Sequence, residues 1–460
     1  MKTTLICPTN FYGGSATNGI YYPMGILVVG SLIKDTFPSW QIEILDGELY
    51  SEQKLQEKIS GTDVLGLSAN TNNYQHCLNL AKYAKEHGIQ RVVIGGPHAS
   101  AVLNLGERRV PMAEIMLRNR GEIDAVIVND GEESYLEYLV KIHRGDVDLS
   151  GIQNLYWRTS SGEIRHNHIV PPTKPPRFTD MNLELMDFEQ YWREHKKEFP
   201  AMDEHFIEGF THVGCTWRDK VGCTFCDIPY PFNNYQAPGK FWRDLREARH
   251  RIGIRSFKDY GDCLTGNPER VRALLDGRPR DMRDIEISCY GRSSEITEEM
   301  ANMLRDLNVR YVYIGFDSGS RTTLRTMKSG YGPQANYAAI ERMEKRGINI
   351  TGSLILGAAE ENETSIAETE TFAREAIEHS NVTQLHCAML TPFPGAPMNF
   401  EFLQCAPAFA EQDLWDTEQT KRFWIEKRCK VPYEYIEQKA KEINDLNPSN
   451  RKRYFGLKRE

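Results

Sequence analysis

The feature that most constrains this chain is a recurring pair of patterns: a short, continuously apolar run, then a stretch with helical spacing. Residues 3–7, 41–45, 63–68, 91–94 and 124–128 are such runs, and 25–33 and 74–86 carry apolar positions at helical intervals. A strand that is apolar on both faces has to be covered on both faces. That favours a parallel sheet with helices on either side over an antiparallel sheet with one wet face. Ligands of such sheets lie beyond the carboxyl ends of the strands. The polar and glycine-rich loops fall there, at 68–73, 95–100 and 129–133.

Residues 151–205 lose the period. Prolines stand at 171, 172, 175 and 176, and a charged helix is predicted over 187–197, so the stretch reads as a connector with little core. From 206 the alternation resumes, with strands predicted at 209–213, 256–259, 284–288, 309–316, 349–356 and 384–389. Helices are predicted between them, for example at 297–306 and 337–346. Six units predict an open, partial barrel rather than an eight-fold one. The predicted architecture is α/β: a doubly wound sheet over 1–150, the connector 151–205, a partial (βα)6 barrel over 206–399, and a helical region 400–460 rich in aromatics.

A length of 460 residues asks for two or three domains. The net charge of −8 speaks against a protein built to bind nucleic acid. The basic stretch Arg451, Lys452, Arg453, Lys458 and Arg459 reads as a solvated tail. No run of about 18 apolar residues occurs, so no membrane helix is expected. The first residues read as a strand rather than a secretory signal. A cytoplasmic protein with reduced thiols follows, although its ten cysteines leave disulfides open on number alone.

Only one tight group exists among those cysteines. Cys215, Cys223 and Cys226 sit on a loop directly after a predicted strand, spaced C-x7-C-x2-C. Three thiolates on one loop suffice for three irons of a cubane cluster. The fourth iron then keeps an open position, suited to the amino and carboxylate groups of an amino acid. Two other readings stand beside this one. Cys223 and Cys226 could be half of a zinc site, but no second pair follows at the usual spacing. They could also be a thioredoxin-like redox pair, which needs no third cysteine. Cys7, Cys77, Cys263, Cys289 and Cys387 read as small buried apolar residues.

A cysteine loop after the first barrel strand, with Phe225 before the last cysteine, resembles the radical S-adenosylmethionine (SAM) superfamily, whose usual loop is C-x3-C-x2-C. Gly315, Asp317, Ser318 and Gly319 are similar to that family's G-x-E-S-G segment, followed here by Met327 and Lys328. Ser353, Ile355, Gly357 and Glu360 resemble its adenine-contacting G-x-I-x-G-x-x-E. Thr391, Pro392, Pro394 and Gly395 resemble its late T-P-x-P-G loop. Tyr22-Pro23-Met24-Gly25-Ile26, residues 63–67, Gly95-Gly96-Pro97-His98 and Asp130-Gly131-Glu132-Glu133 look like the cobalamin-binding domain of the B12-dependent members. Together the resemblance spans about residues 1–400. The D-x-H-x-x-G signature of methionine-synthase-type domains is absent; the chain reads Asp46-Gly47-Glu48 with no histidine.

The resemblance implies a two-cofactor enzyme. Cys215, Cys223 and Cys226 would hold a [4Fe–4S] cluster whose free iron chelates SAM. An electron, from a donor such as flavodoxin or ferredoxin, would cleave SAM to a 5′-deoxyadenosyl radical. That radical would take hydrogen from an unactivated carbon of a small-molecule substrate, and methylcobalamin would supply a methyl group. Cobalamin would lie against Ser68, Asn70, Thr71, Gly95, Gly96, Pro97, Gly131 and Glu132, with no histidine on its lower face. SAM would lie against Asp262, Arg292, Asp317, Ser318 and Ile355, with Arg292 taking its carboxylate. For Arg292 a barrel-end ion pair, for Asp317 a strand-end cap and for Glu360 a helix-start carboxylate are the plain structural readings.

Rivals remain at this stage. The same parts would serve an enzyme that oxidises, cyclises or contracts a ring without methylating. A tRNA methylthiotransferase would carry three further cluster cysteines near its N-terminus, where only Cys7 and Cys77 occur. A non-catalytic cobalamin or metal carrier would not cleave SAM.

Overall fold

The computed structural model describes residues 1–9, 21–172, 181–198, 205–218, 220, 222–228, 233–328 and 330–447. The prolines at 175 and 176 and the basic stretch from Arg451 onward lie outside these residues.

Each of the five early apolar runs forms a strand: β1 (Lys2–Cys7), β2 (Gln41–Asp46), β3 (Val64–Ser68), β4 (Arg91–Gly95) and, after a hairpin of β5 (Val102–Leu105) and β6 (Arg108–Pro111), β7 (Ala125–Ile127). They pair in parallel in the order β2-β1-β3-β4-β7. Helices Met24–Thr36 and Glu132–His143 pack on one face through Ile26, Ile33, Tyr135 and Leu139. Helices Tyr74–Glu86 and Met112–Asn119 bury Leu78, Ala81, Ile115 and Met116 in the core on the other. The sheet is doubly wound, as the two-sided apolar strands required. It also runs past residue 150. β8 (Leu155–Arg158) and β9 (Ile164–His166) extend it antiparallel, with Leu155 and Trp157 buried, so the predicted connector gives its first part to the sheet.

The second unit holds β10 (Phe206–Gly209), a small hairpin of β11 (His212–Val213) and β12 (Asn234–Tyr235), then β13 (Ser256–Asp259), β14 (Glu286–Gly291), β15 (Val309–Asp317), β16 (Asn349–Leu356) and β17 (Val382–Met389). Six of them form one all-parallel sheet, β10-β13-β14-β15-β16-β17. The partial barrel is therefore as predicted, except that its first strand begins earlier than residue 209.

The C-terminal helices Pro397–Cys405, Thr417–Arg428 and Tyr433–Asp445 are no separate cap. Asn447 and Asn444 pair with the backbone of Leu385 and Cys387 at 2.7–2.9 Å, so two amides stand in for a neighbouring strand along the free edge of β17. Phe402, Trp415 and Trp424 are core residues, and none of these three lines the two cavities described below.

Candidate active site

The cysteine loop leaves β11 and is braced at its entrance by acids from the neighbouring strand. Gly214 N donates to Asp262 Oδ2 at 2.6 Å, and Thr211 donates to Asp259 through both its amide and its hydroxyl. Asp262 thus positions the loop. In the long gap between Cys215 and Cys223, Arg218 N donates to Cys215 O and Gly222 N to Trp217 O. Trp217 projects from it, and its Nε1 donates to Lys328 O at 3.1 Å. The Arg292 guanidinium lies 4.5 Å over its ring. Thr224 N donates to Met327 O, and Met398 N to Thr224 O, so the second half of the loop is tied to two further elements.

Arg292 follows the end of β14 and is buried at 6% exposure. Its Nη2 is 3.2 Å from Cys215 Sγ, while Nη1 has no hydrogen-bond partner. Leaving a buried guanidinium N–H unpaired costs about 1–3 kcal/mol, so the position suits an anionic acceptor. Cys263 is more than an apolar filler: its thiol contacts the Thr265 hydroxyl at 3.6 Å and neighbours Cys215. That neighbouring thiol, with Arg292 adding to it, holds the Cys215 thiol well below the usual range. Burial pushes Cys226 up to about 12 and also raises Cys223.

Among the described residues no three Cys, His, Asp or Glu side chains converge on one metal-ion position. A zinc site needs that convergence, whereas a cubane takes each thiolate on a different iron. The donor set fits a cluster, with the Cys226 proton leaving as iron binds.

The segment after β15 is committed to itself. Asp317 (φ 59°) forms a buried ion pair with Lys328, which also donates to Gly315 O at 3.0 Å. Ser318 Oγ bonds Thr369 Oγ1 at 2.7 Å and accepts from Ser320 N. The Ser318 hydroxyl proton is thus used inside the fold, while one of its lone pairs stays open. Ile355 is half-buried at the end of β16. Glu360 (φ 65°) is exposed and pairs with Lys430, and the next helix starts only at Glu363, so it is no helix-start carboxylate. The buried acid is the next one. Glu361 accepts from Gly357 N at 2.5 Å and from Ala358 N, and burial pushes its carboxyl up to about 7.

Opposite the cysteine loop lie the loops after β3 and β4. A cleft of about 260 Å3 separates them, lined by Asn70, Thr71, Pro97 and His98 on one side and by Phe225, Asp227, Phe393 and Pro394 on the other. Phe225 and Asp227 flank Cys226. The close fit of the late loop depends on Gly395: a Cβ there would stand 2.1 Å from Asp227 Oδ2. Asn70 Oδ1 accepts from the amides of Asn72 and Asn73, which fixes the loop after β3.

With this geometry in place, residues 210–373 match the Radical SAM superfamily. The chain carries a radical SAM domain. It is 24% identical over 394 residues to an uncharacterized methyltransferase of Pyrococcus horikoshii, covering 81% of this chain and 76% of that one. It is 25% identical over 279 residues to a putative methylthiotransferase of Methanocaldococcus jannaschii, covering 57% and 55%. Among solved structures it resembles the radical SAM methyltransferase TsrM of Kitasatospora setae, bound to tryptophan and a SAM analog. The TM-score is 0.66 at 17% identity, over 88% of this chain and 76% of that one. It also resembles the cobalamin-dependent SAM radical enzyme OxsB with aqua-cobalamin and SAM bound. There the TM-score is 0.58 at 16% identity, over 95% and 57%. At these identities the likeness to solved structures is one of fold.

Of the residues expected beside cobalamin, Asn70, Thr71 and Pro97 line the cleft in front of the radical SAM domain. Ser68, Gly95, Gly96, Gly131 and Glu132 lie outside its lining. Gly96 has a structural reason instead: its φ is 98°, and a Cβ would stand 2.6 Å from Ala69 O. Gly131 caps, and Glu132 begins, the helix Glu132–His143, where an acid favours the helix dipole.

His98 stands beside Pro97 in the same lining. It is buried and lines the cleft, yet both ring nitrogens are in use. Nε2 donates to Asp413 O at 2.8 Å, and the Thr71 hydroxyl donates to Nδ1 at 3.1 Å. Burial pushes its pKa down to about 4. A histidine held neutral in the fold contributes stability above its unfolded pKa of 6.5, and that stability is lost as pH falls toward 4. The loss amounts to about 3 kcal/mol. Thermal melting should therefore show a smaller drop between pH 6.5 and 4 for His98→Gln than for wild type; parallel curves would refute this.

Proposed function

We propose that the protein is a cobalamin-dependent radical SAM methyltransferase acting on an unactivated carbon of a small molecule. The observation that carries the reading is the cleft that sets the loop of Cys223 and Cys226 against the carboxyl-end loops of a doubly wound sheet. Cys215, Cys223 and Cys226 would hold the [4Fe–4S] cluster. Arg292 would offer its unpaired Nη1 to the SAM carboxylate, with Ile355 and the Asp317 turn bordering the same space. Asn70, Thr71 and Pro97 would border the cobalamin, and His98 offers the cobalt no free nitrogen.

When bound, the cluster and SAM supply a hydrogen-abstracting radical and cobalamin supplies a methyl group. The chain's own residues position and enclose. Asp262 fixes the start of the cysteine loop, Trp217 covers Arg292, and Lys328 neutralises Asp317. The similarity to a methylthiotransferase carries less weight, because Cys7 and Cys77 are the only cysteines before Cys215. A low-potential donor such as flavodoxin or ferredoxin would supply the electron. A reducing cytoplasm suits ten free cysteines, and no described helix is long and apolar enough to cross a membrane.

The test is purification without oxygen, with iron, sulfide and hydroxocobalamin supplied, followed by incubation with SAM and a reductant. Iron–sulfur absorbance, bound cobalamin, and formation of both 5′-deoxyadenosine and S-adenosylhomocysteine are expected. 5′-Deoxyadenosine alone would turn the reading to a non-methylating radical enzyme, and neither product would overturn both.

A further inference from the structure

The lumen of the barrel, with Tyr21, Tyr22 and Met24 of the first unit, lines a half-open cavity of about 530 Å3. Tyr290, Tyr313 and Thr351 line it, two to four residues before Arg292, Asp317 and Ile355 along the chain, so it lies one layer deeper than the strand ends just described. Barrel interiors are ordinarily packed with Val, Ile and Leu. Here the inward positions are polar or aromatic.

One wall is formed by Glu208 on β10 and Lys258 on the adjacent β13, both buried. Tyr260 donates to Glu208 Oε1 at 3.3 Å, and the Lys258 ammonium lies 4.5 Å over the ring of Tyr21. The floor is the pair Tyr290 and Tyr313, with centroids 5.2 Å apart. On the opposite wall, Thr351 Oγ1, Gln384 Oε1 and His386 Nδ1 are buried without any hydrogen-bond partner. Buried polar atoms are nearly always paired, so three unpaired atoms on residues that line one cavity point to a ligand that completes the set.

The charge of Lys258 is offset by Glu208, and burial lowers the pKa of His386 and so favours its neutral form. A phosphate or a second carboxylate would find no cationic cluster here. Tyrosine rings offer faces to a planar group. Gln384 Oε1 only accepts, while Thr351 and His386 can do either, so a ring edge with neighbouring N–H donor and acceptor matches the orphaned wall. A cavity of this size takes an ordinary small molecule.

We propose that this cavity binds the methyl acceptor, and that the acceptor is an uncharged, planar nitrogen heteroaromatic compound. The role of acceptor rests on the methyltransferase reading, whereas the binding itself does not. The test titrates the anaerobically reconstituted holoenzyme calorimetrically with indole-3-carboxamide, indole-3-carboxylate and cyclohexanecarboxamide. The first should bind about tenfold or more tighter than the other two. Thr351→Val and Gln384→Leu, checked for wild-type iron content and melting temperature, should each weaken it about tenfold. Absence of carboxamide binding, equal affinity for the three probes, or unchanged affinity in both folded variants would overturn the proposal. The comparison of probes on wild type decides the matter even where a variant does not fold. Tight carboxamide binding without SAM cleavage would sustain the site and overturn the methyltransferase reading.

Discussion

Cys223→Ala is expected to strip the anaerobically reconstituted protein of its iron–sulfur absorbance, from roughly four irons per chain to under one. SAM cleavage should be lost with it. Three thiolates are the fewest that can seat three irons, and the geometry leaves no spare for Cys223. Cys263 is the nearest substitute, yet its thiol contacts Thr265 Oγ1 at 3.6 Å and it sits on the β13 side of the loop, anchored by its own amide to His212 Nε2 at 3.2 Å. Cys263→Ala provides the contrast. It removes a thiol beside Cys215 but no ligand, and Arg292 Nη2 remains at 3.2 Å from Cys215 Sγ, so the iron content should stay near wild type. Iron analysis beside the absorbance spectrum checks both. Full iron in Cys223→Ala would refute the assignment, and loss of iron in Cys263→Ala would make Cys263 a ligand.

That contrast also shows where the sequence was legible. The strands Val64–Ser68 and Arg91–Gly95 fall where their apolar runs placed them, because a strand covered on both faces has to be apolar almost throughout. The cysteines were legible because three thiols on one loop have few other uses. What escaped notice is polar and non-local. Cys263 resembles any buried cysteine until the fold brings it to Cys215, 48 positions earlier in the chain. Glu360 matched a motif position, but its positive φ turns it to solvent and leaves Glu361 to cap the turn. Thr351, Gln384 and His386 are polar residues in strands that are otherwise largely apolar. Their spacing of two on β17, and their place on neighbouring strands, was the available signal for one polar wall. The β5–β6 hairpin was too short and too charged to stand out. Trp217 lay in the one gap that departs from the usual motif, and only the fold shows that its ring lies under Arg292.

The largest effect on stability is expected at Asp413, where the C-terminal region docks on the first sheet. Its carboxylate is 2% exposed. It accepts from Tyr74 Oη at 2.8 Å, from Arg120 Nε at 2.6 Å and Nη2 at 3.2 Å, and from Asn119 Nδ2 at 3.1 Å. Its backbone carbonyl holds His98. Removing one partner of a buried pair leaves the others unpaired, which costs about 3–5 kcal/mol. Arg120 is 30% exposed and water can recover part of its loss, so Asp413→Ala should cost about 3 kcal/mol, near the lower bound. Asp413→Asn keeps an acceptor for Tyr74 but loses the charge, and about half that cost is expected. Two residues earlier, Glu411 also pairs with an arginine, Arg118, at 2.8 Å, but their side chains are 61% and 39% exposed. Glu411→Ala should therefore cost less than about 0.5 kcal/mol. Urea unfolding of the three variants, followed by tryptophan fluorescence from the buried Trp415 two positions away, separates the cases. If Asp413→Ala and Glu411→Ala shift the midpoint equally, burial does not set the strength of this contact, and the C-terminal region is held by its apolar packing alone.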